Sequence, residues 1–170
     1  MLLRHLVSIM VLPVSVIGVV PVLLYWFFHF VLFWDFQYHT EISILATGIG
    51  LAALGFILLC STIQLFVKKG EGTIAPWNPT QKLIVTGFYS HVRNPMHIGV
   101  FLILTGESAI ANSIPLILWT AMFIVGNLIY VPTIEEAKLA ERFGDEYSTY
   151  KKYVPRWIPR LSSWNPNHQL

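Results

Sequence analysis

Thr86-Gly-Phe-Tyr-Ser-His-Val-Arg-Asn-Pro-Met-His-Ile-Gly99 is a polar run that lies directly against a hydrophobic span. It sets His91, Arg93, Asn94 and His97 at the point where a helix enters a membrane. Pro95 suits the first helical position, where its missing N–H has no partner to lose, and Asn94 suits the cap before it. The first backbone N–H groups of such a helix point back into the loop. With Arg93 beside them they form an anion or carboxylate site. A donor-rich helix start at a bilayer surface points to a ligand.

Composition sets the surroundings of this stretch. Of 170 residues, 55% are hydrophobic and 12% are charged, with a mean hydropathy of +0.61. Soluble domains carry about 25% charged residues, so the chain reads as an all-α integral membrane bundle forming one domain. A net charge of +2 is too small to imply nucleic acid. The single cysteine, Cys60, rules out an intramolecular disulfide framework.

Outward from the opening stretch, four apolar spans are expected at about 6–34, 42–67, 95–111 and 115–131. The first is too long for the core of a secretory signal and reads as a retained helix. It holds Pro13 and Pro21, which predict a kink or tilt, and Tyr25, Trp26 and Trp34 as interfacial anchors. His29 on it reads as a packing histidine. Gly48, Gly50, Ala52 and Gly55 on the second span allow close helix approach. The loop 68–94 is broken by Gly70, Gly72, Pro76 and Pro79. Its Trp77, Leu83, Ile84, Phe88 and Tyr89 predict that it packs back on the bundle. Asn112-Ser113 makes the turn of an antiparallel hairpin between spans three and four.

In the tail 132–170, Thr133-Ile-Glu-Glu136 reads as a capping box after a kink or restart at Pro132. Gly144 reads as a helix stop, with an amphipathic helix over 145–153 beyond it. With four spans, all 11 Lys and Arg residues fall on one side. The positive-inside rule then makes both termini and the long loop cytoplasmic.

The hairpin brings two polar clusters together. One holds His91, Arg93, Asn94 and His97, and the other Glu135 and Glu136. They are either an ion pair that fastens the hairpin or part of a binding site. His91 and His97 lack any Cys or His partner at zinc spacing, so no metal is expected. Glu107 is an intramembrane carboxylate, and Asn127 and Tyr130 share a face of span four.

An ordered set of motifs covers roughly residues 68–160. It comprises Gly87-Phe-Tyr89, Val92-Arg-Asn-Pro-Met-His-Ile-Gly99, Glu135-Glu136, Phe143-Gly144, Tyr147, Tyr150 and Val154-Pro155. In this set the chain resembles the isoprenylcysteine carboxyl methyltransferase and phospholipid methyltransferase superfamily of small membrane enzymes. Asn94 stands where that pattern commonly has His, and His97 where it has Tyr. The resemblance implies S-adenosylmethionine as cofactor. It implies a site drawn from Tyr89, Arg93, Asn94, His97, Gly99, Tyr130, Glu135 and Glu136, with Arg93, Glu135 and Glu136 also carrying the catalytic role. Arg93 and the helix start would hold the cofactor carboxylate and a glutamate its ammonium, Glu135 being favoured if Glu136 closes the capping box. Tyr89, Tyr130 or Trp157 would face the sulfonium.

The acceptor implied is a lipid-like or small hydrophobic molecule with a carboxylate, amine or thiol, reached from the membrane lipids. The membrane would be the inner membrane of a bacterium or the endoplasmic reticulum of a eukaryote. Two other classes fit the pattern less fully. They are an NADPH-dependent reductase of the sterol-reductase kind and a noncatalytic scaffold or lipid-binding protein.

Overall fold

The structure is a computed structural model that describes residues 10–31, 41–69 and 82–165. The Trp34 anchor, residues 35–40 of the expected turn, and residues 70–81 of the long loop lie outside the described residues. Among those described, all regular structure is helical.

Helix α1 is built from three consecutive segments, Met10–Val19, Val20–Trp26 and Phe27–Val31. The first and last have wide i→i+5 turns. An interior proline removes one i→i−4 bond. The run therefore absorbs Pro13 in a wide-turn segment and sets Pro21 in the first turn of the α-helical part. Helix α2 is Ile42–Lys69, α3 Pro95–Ala111 and α4 Ile114–Tyr130. The α3–α4 hairpin turns at Asn112, whose left-handed φ of 45° suits an Asn side chain.

A wide turn, Val131–Glu135, leads into α5, Glu136–Tyr153. Of the kink or restart expected at Pro132, the restart does not occur. The backbone stays right-handed helical at Tyr130, Val131, Glu135 and Glu136. Thr133 Oγ1 donates to the Ile129 carbonyl at 2.6 Å, so it caps nothing, and the capping box is not formed. A Pro N–H is missing at a place where the wide turn already re-spaces the bonds, and the helix runs on. It breaks at Gly144 instead, where φ is 52°.

Stretches of α1, α2 and the continuous α4–α5 rod are long and apolar enough to cross a membrane, and α3 is a shorter apolar helix. Leu54, Phe56 and Ile57 on α2 and Leu118 and Met122 on α4 are exposed. Such faces are solvated by lipid rather than by water.

The bundle is centred on α2 against α3. On α2, Gly48 and Gly55 are seven residues apart, as are Gly99 and Gly106 on α3. A β-carbon on Gly55 would sit 2.5 Å from the Gly99 carbonyl oxygen, and one on Gly106 the same distance from that of Gly48. The two backbones are therefore in direct contact, which a seam of small residues permits. Above this seam Leu59, Val100, Ile103 and Leu104 form the buried core, joined by Val16 and Ile17 of α1 and Trp119 and Phe123 of α4. Ser108 Oγ and Thr120 Oγ1, 2.7 Å apart, tie α3 to α4.

This geometry separates glycines that look alike in sequence. Gly55→Ala and Gly106→Ala are each expected to destabilise the protein by about 1–3 kcal/mol through forced backbone displacement. Gly50→Ala, with nothing within 4 Å of its β-carbon, is expected to be neutral or to gain up to about 1 kcal/mol of helix propensity. Thermal unfolding of the three variants in one detergent checks the ranking.

Candidate functional site

The polar end of the bundle is assembled by the C-terminal tail. The tail runs back along the segment before α3 and pairs with its backbone. Arg93 N–H donates to Pro155 O at 2.9 Å, Arg160 N–H to His91 O at 3.0 Å and Trp164 N–H to Ser90 O at 2.9 Å. His91 Nδ1 lies 2.9 Å from Arg160 O, and Tyr150 Oη donates to Tyr89 O at 2.7 Å. Below these bonds Tyr147, Tyr150, Val154 and Trp164 form a second core, with Leu83, Val85, Leu139 and Phe143 packed on it. Of the loop residues expected to pack back, Ile84 and Tyr89 are buried and Phe88 is exposed.

Glu136 lies at the centre, 4% exposed, at the first position of α5. Arg93 Nη1 donates to its Oε1 at 2.9 Å. Arg156 donates through Nε to Oε1 at 2.5 Å and through Nη2 to Oε2 at 3.1 Å, a two-pronged bond. Lys151 Nζ stands 3.2 Å from Oε2. Burial alone pushes the Glu136 carboxyl up, but hydrogen bonds from Arg156 and Lys151 and the charges of Arg93 and Arg156 together bring it below the usual carboxylate range. The Arg156 guanidinium is in turn held above its ordinary value, chiefly by its bond to Glu136. Burial, with Glu136 nearby, raises the Tyr147 phenol, so it stays protonated 3.4 Å from Arg93 Nη1. The Arg93 Nε is buried and unpartnered.

The neighbouring glutamate has a different setting. Glu135 Oε2 lies 3.7 Å from His97 Nε2, and both side chains are partly open, at 34% and 26% exposure. The Trp157 ring stands at right angles to His97 at 6.3 Å and is tilted against Phe101 at 5.6 Å. An acidic, a basic and two aromatic groups thus border one partly open place at the start of α3.

The residues expected at the site divide accordingly. Arg93, His97, Glu135 and Glu136 come together. Asn94 takes the cap position but donates its amide to Arg156 O at 3.2 Å, so the tail claims its side chain. Gly99 is occupied by the α2 seam, since a β-carbon on it would meet the Gly55 carbonyl at 3.0 Å. The Tyr89 ring is buried against Phe66. Tyr130 is 40% exposed at the end of α4. Asn127 bonds the Phe123 carbonyl of its own helix. Glu107 has a buried Oε2 without a partner.

Sequence reasoning missed Arg156 and Lys151. The signal for them was indirect, since a buried carboxylate flanked by one arginine needs further donors. No three His, Cys, Asp or Glu residues among those described are grouped to hold a metal. A cavity of about 590 Å³ bounded by Thr86, Gly87, Phe88, Ser90, His91 and Trp164 includes none of Arg93, His97, Glu135 or Glu136. It is therefore not the place where these groups converge.

Fold and site define a small polytopic membrane protein whose charged end is locked by one buried carboxylate. The chain belongs to the phospholipid methyltransferase family, which matches residues 43–146, from α2 into α5. It is also similar to Protein-S-isoprenylcysteine O-methyltransferase of Schizosaccharomyces pombe, 29% identical over 116 residues, covering 65% of this chain and 49% of that one. The chain thus spans about half the length of this relative. No solved structure matches it.

The lock makes stability depend on acid. The Glu136 carboxyl is harder to protonate folded than unfolded, so the unfolded chain binds the proton first. Its contribution is whole above the ordinary carboxyl value of about 4.3 and drains away as pH falls toward the depressed folded value. Glu136→Gln is expected to cost about 3–5 kcal/mol at neutral pH, because Arg93 and Arg156 are left uncompensated. It is also expected to flatten the loss below that pH. Unfolding midpoints from pH 3 to 7 for both proteins check this.

Proposed function

We propose that the protein is an S-adenosylmethionine-dependent methyltransferase that acts at the membrane surface on a lipid-like or small hydrophobic acceptor. Family membership supports the activity. The observation that carries the site is the convergence of Glu135, His97, Trp157 and Phe101 on the first turns of α3; Arg93, two residues before that helix, keeps a buried Nε without a partner.

The cofactor has a carboxylate, an ammonium and a sulfonium, and the residues present fit it. Arg93 Nε is a buried donor with nothing to donate to, suited to the carboxylate. Glu135, unlike Glu136, is not saturated by cations and suits the ammonium. Trp157 and Phe101 offer the aromatic faces that attract a sulfonium. When bound, the cofactor supplies an activated methyl group. The protein's task is alignment, which supplies several kcal/mol of the barrier. The Glu136 lock holds Arg93 and the tail, so Trp157 is placed by the same bonds that close the tail.

The distribution of Lys and Arg supports a cytoplasmic site with both termini on that side. A soluble cofactor would then enter from the cytoplasm, and an amphiphilic acceptor would enter from the lipid.

Calorimetric titration in lipid nanodiscs is expected to show saturable binding of S-adenosylhomocysteine and none of NADPH. Trp157→Ala, which leaves Glu136 and its cations intact, is expected to weaken binding roughly tenfold. Well-folded wild type that ignores S-adenosylhomocysteine would sink the reading, and binding of NADPH alone would make the protein a reductase.

A further inference from the structure

The cavity of about 590 Å³ beside the segment before α3 contains none of the groups assigned to the cofactor. Its walls come from two stretches of chain. Thr86, Gly87, Phe88, Ser90 and His91 form one side, and Ser163 and Trp164 of the tail form the other. The backbone bonds from Arg160 to His91 and from Trp164 to Ser90 hold the two sides together. No Asp or Glu borders the space. Its volume falls in the range of small-molecule sites, about 300–1,000 Å³.

The polar groups at this cavity are mainly donors. Trp164 is buried, and its Nε1 has no partner. An indole N–H can only donate, and a buried donor without an acceptor costs about 1–3 kcal/mol. Lys69, the last residue of α2, donates from Nζ to Thr86 Oγ1 at 3.2 Å. That bond leaves the Thr86 hydroxyl proton and the other ammonium protons to donate elsewhere. Lys69 has no carboxylate partner among the described residues. Ser163 adds a hydroxyl. The Arg160 carbonyl can only accept, so His91 Nδ1 carries the proton of their 2.9 Å bond. His91 Nε2 then accepts when the ring is neutral and donates when it is protonated. One cation, several hydroxyl and N–H donors and no carboxylate suit an oxyanion.

The surroundings set this oxyanion at the lipid surface. Phe88 lines the cavity and is exposed, and so are Ile158 and Leu161, which flank Arg160 on the tail. On a bundle solvated by lipid, apolar side chains left open beside a lysine-tipped helix end suit the headgroup layer. We propose that the cavity is a second binding site, for a phosphate group, with Lys69 as its counter-charge and Thr86, Ser163 and Trp164 as donors. The apolar surroundings favour a lipid headgroup as the carrier over phosphate free in solution. The site goes beyond the methyltransferase reading and stands without it. A phosphate held there touches both the tail and the segment before α3, so it fastens the pairing of Ser90 with Trp164 and of His91 with Arg160 that closes the tail.

The test uses the full chain in phosphatidylcholine nanodiscs, either with a minor fraction of phosphatidate or with inorganic phosphate in the buffer. Two readouts are followed against plain phosphatidylcholine. One is the indole N–H resonance of Trp164, assigned with Trp164→Phe, and the other is hydrogen exchange at the Arg160 and Trp164 amides. Phosphate is expected to move the indole resonance downfield in a saturable way and to slow both amides severalfold. A response to phosphatidate alone makes the ligand a lipid headgroup, and a response to inorganic phosphate makes it a free anion. Lys69→Gln is expected to weaken binding about tenfold or more. Lys68→Gln, which removes the same charge one position earlier, is expected to weaken it about threefold at most at physiological salt, where surface charge is screened. Equal losses in the two variants reduce the response to general surface charge and overturn the site. An unmoved Trp164 indole together with unchanged amide exchange in both arms also overturns it.

Discussion

A single buried carboxylate decides how the polar end of this bundle is built. Glu136 is the first residue of α5, Arg93 precedes α3 by two residues, and Arg156 lies in the tail. These segments are far apart in sequence, and the apolar core of Tyr147, Tyr150, Val154 and Trp164 packs beside their charged contact. Two guanidinium groups and an ammonium converge on one carboxylate, and Arg93 and Glu136, the buried pair among them, would each be a poorly solvated charge alone. Everything near α3 inherits this arrangement. The tail carbonyls of Pro155 and Arg156 fall where Arg93 and Asn94 can donate. Trp157, the next residue, falls beside His97.

Two adjacent glutamates serve different ends because of helical geometry. Successive residues differ by about 100° around the axis. Glu136 therefore points into the cations while Glu135 points to His97. The helix that carries them continues from α4 without a break, so the separation of roles is held by a rigid rod. Pro132 does not disturb it, since the wide turn at Val131–Glu135 accommodates the missing donor.

Much of this was legible in the residues. The apolar runs, the Asn112 turn, the Gly144 break and the meeting of Arg93 with the glutamates follow from hydropathy, backbone preference and the short hairpin. What was not legible depends on contacts between distant segments. Gly99 was assigned to a cofactor on the strength of a motif, but its partner is the Gly55 backbone on α2. Nothing in either sequence segment names the other. Thr133 and Glu136 have the spacing of a capping box, yet a helix that never starts afresh has no orphan N–H groups to cap. Arg156 escaped notice because an arginine in a proline-rich tail reads as solvated until a buried carboxylate is seen to need it.

The glycine seam between α2 and α3 also sets how the bundle can deform. Backbones in contact along a face leave no side chains to rotate aside and no gap to widen. The pair behaves as a stiff beam, whereas α1 and α4 meet the core through larger, rotameric side chains such as Ile17, Trp119 and Phe123. Lateral compliance is thus one-sided. Any guest too bulky for the resting bundle must be accommodated by displacement of α1 or α4, with the α2–α3 beam as the fixed reference against which they move.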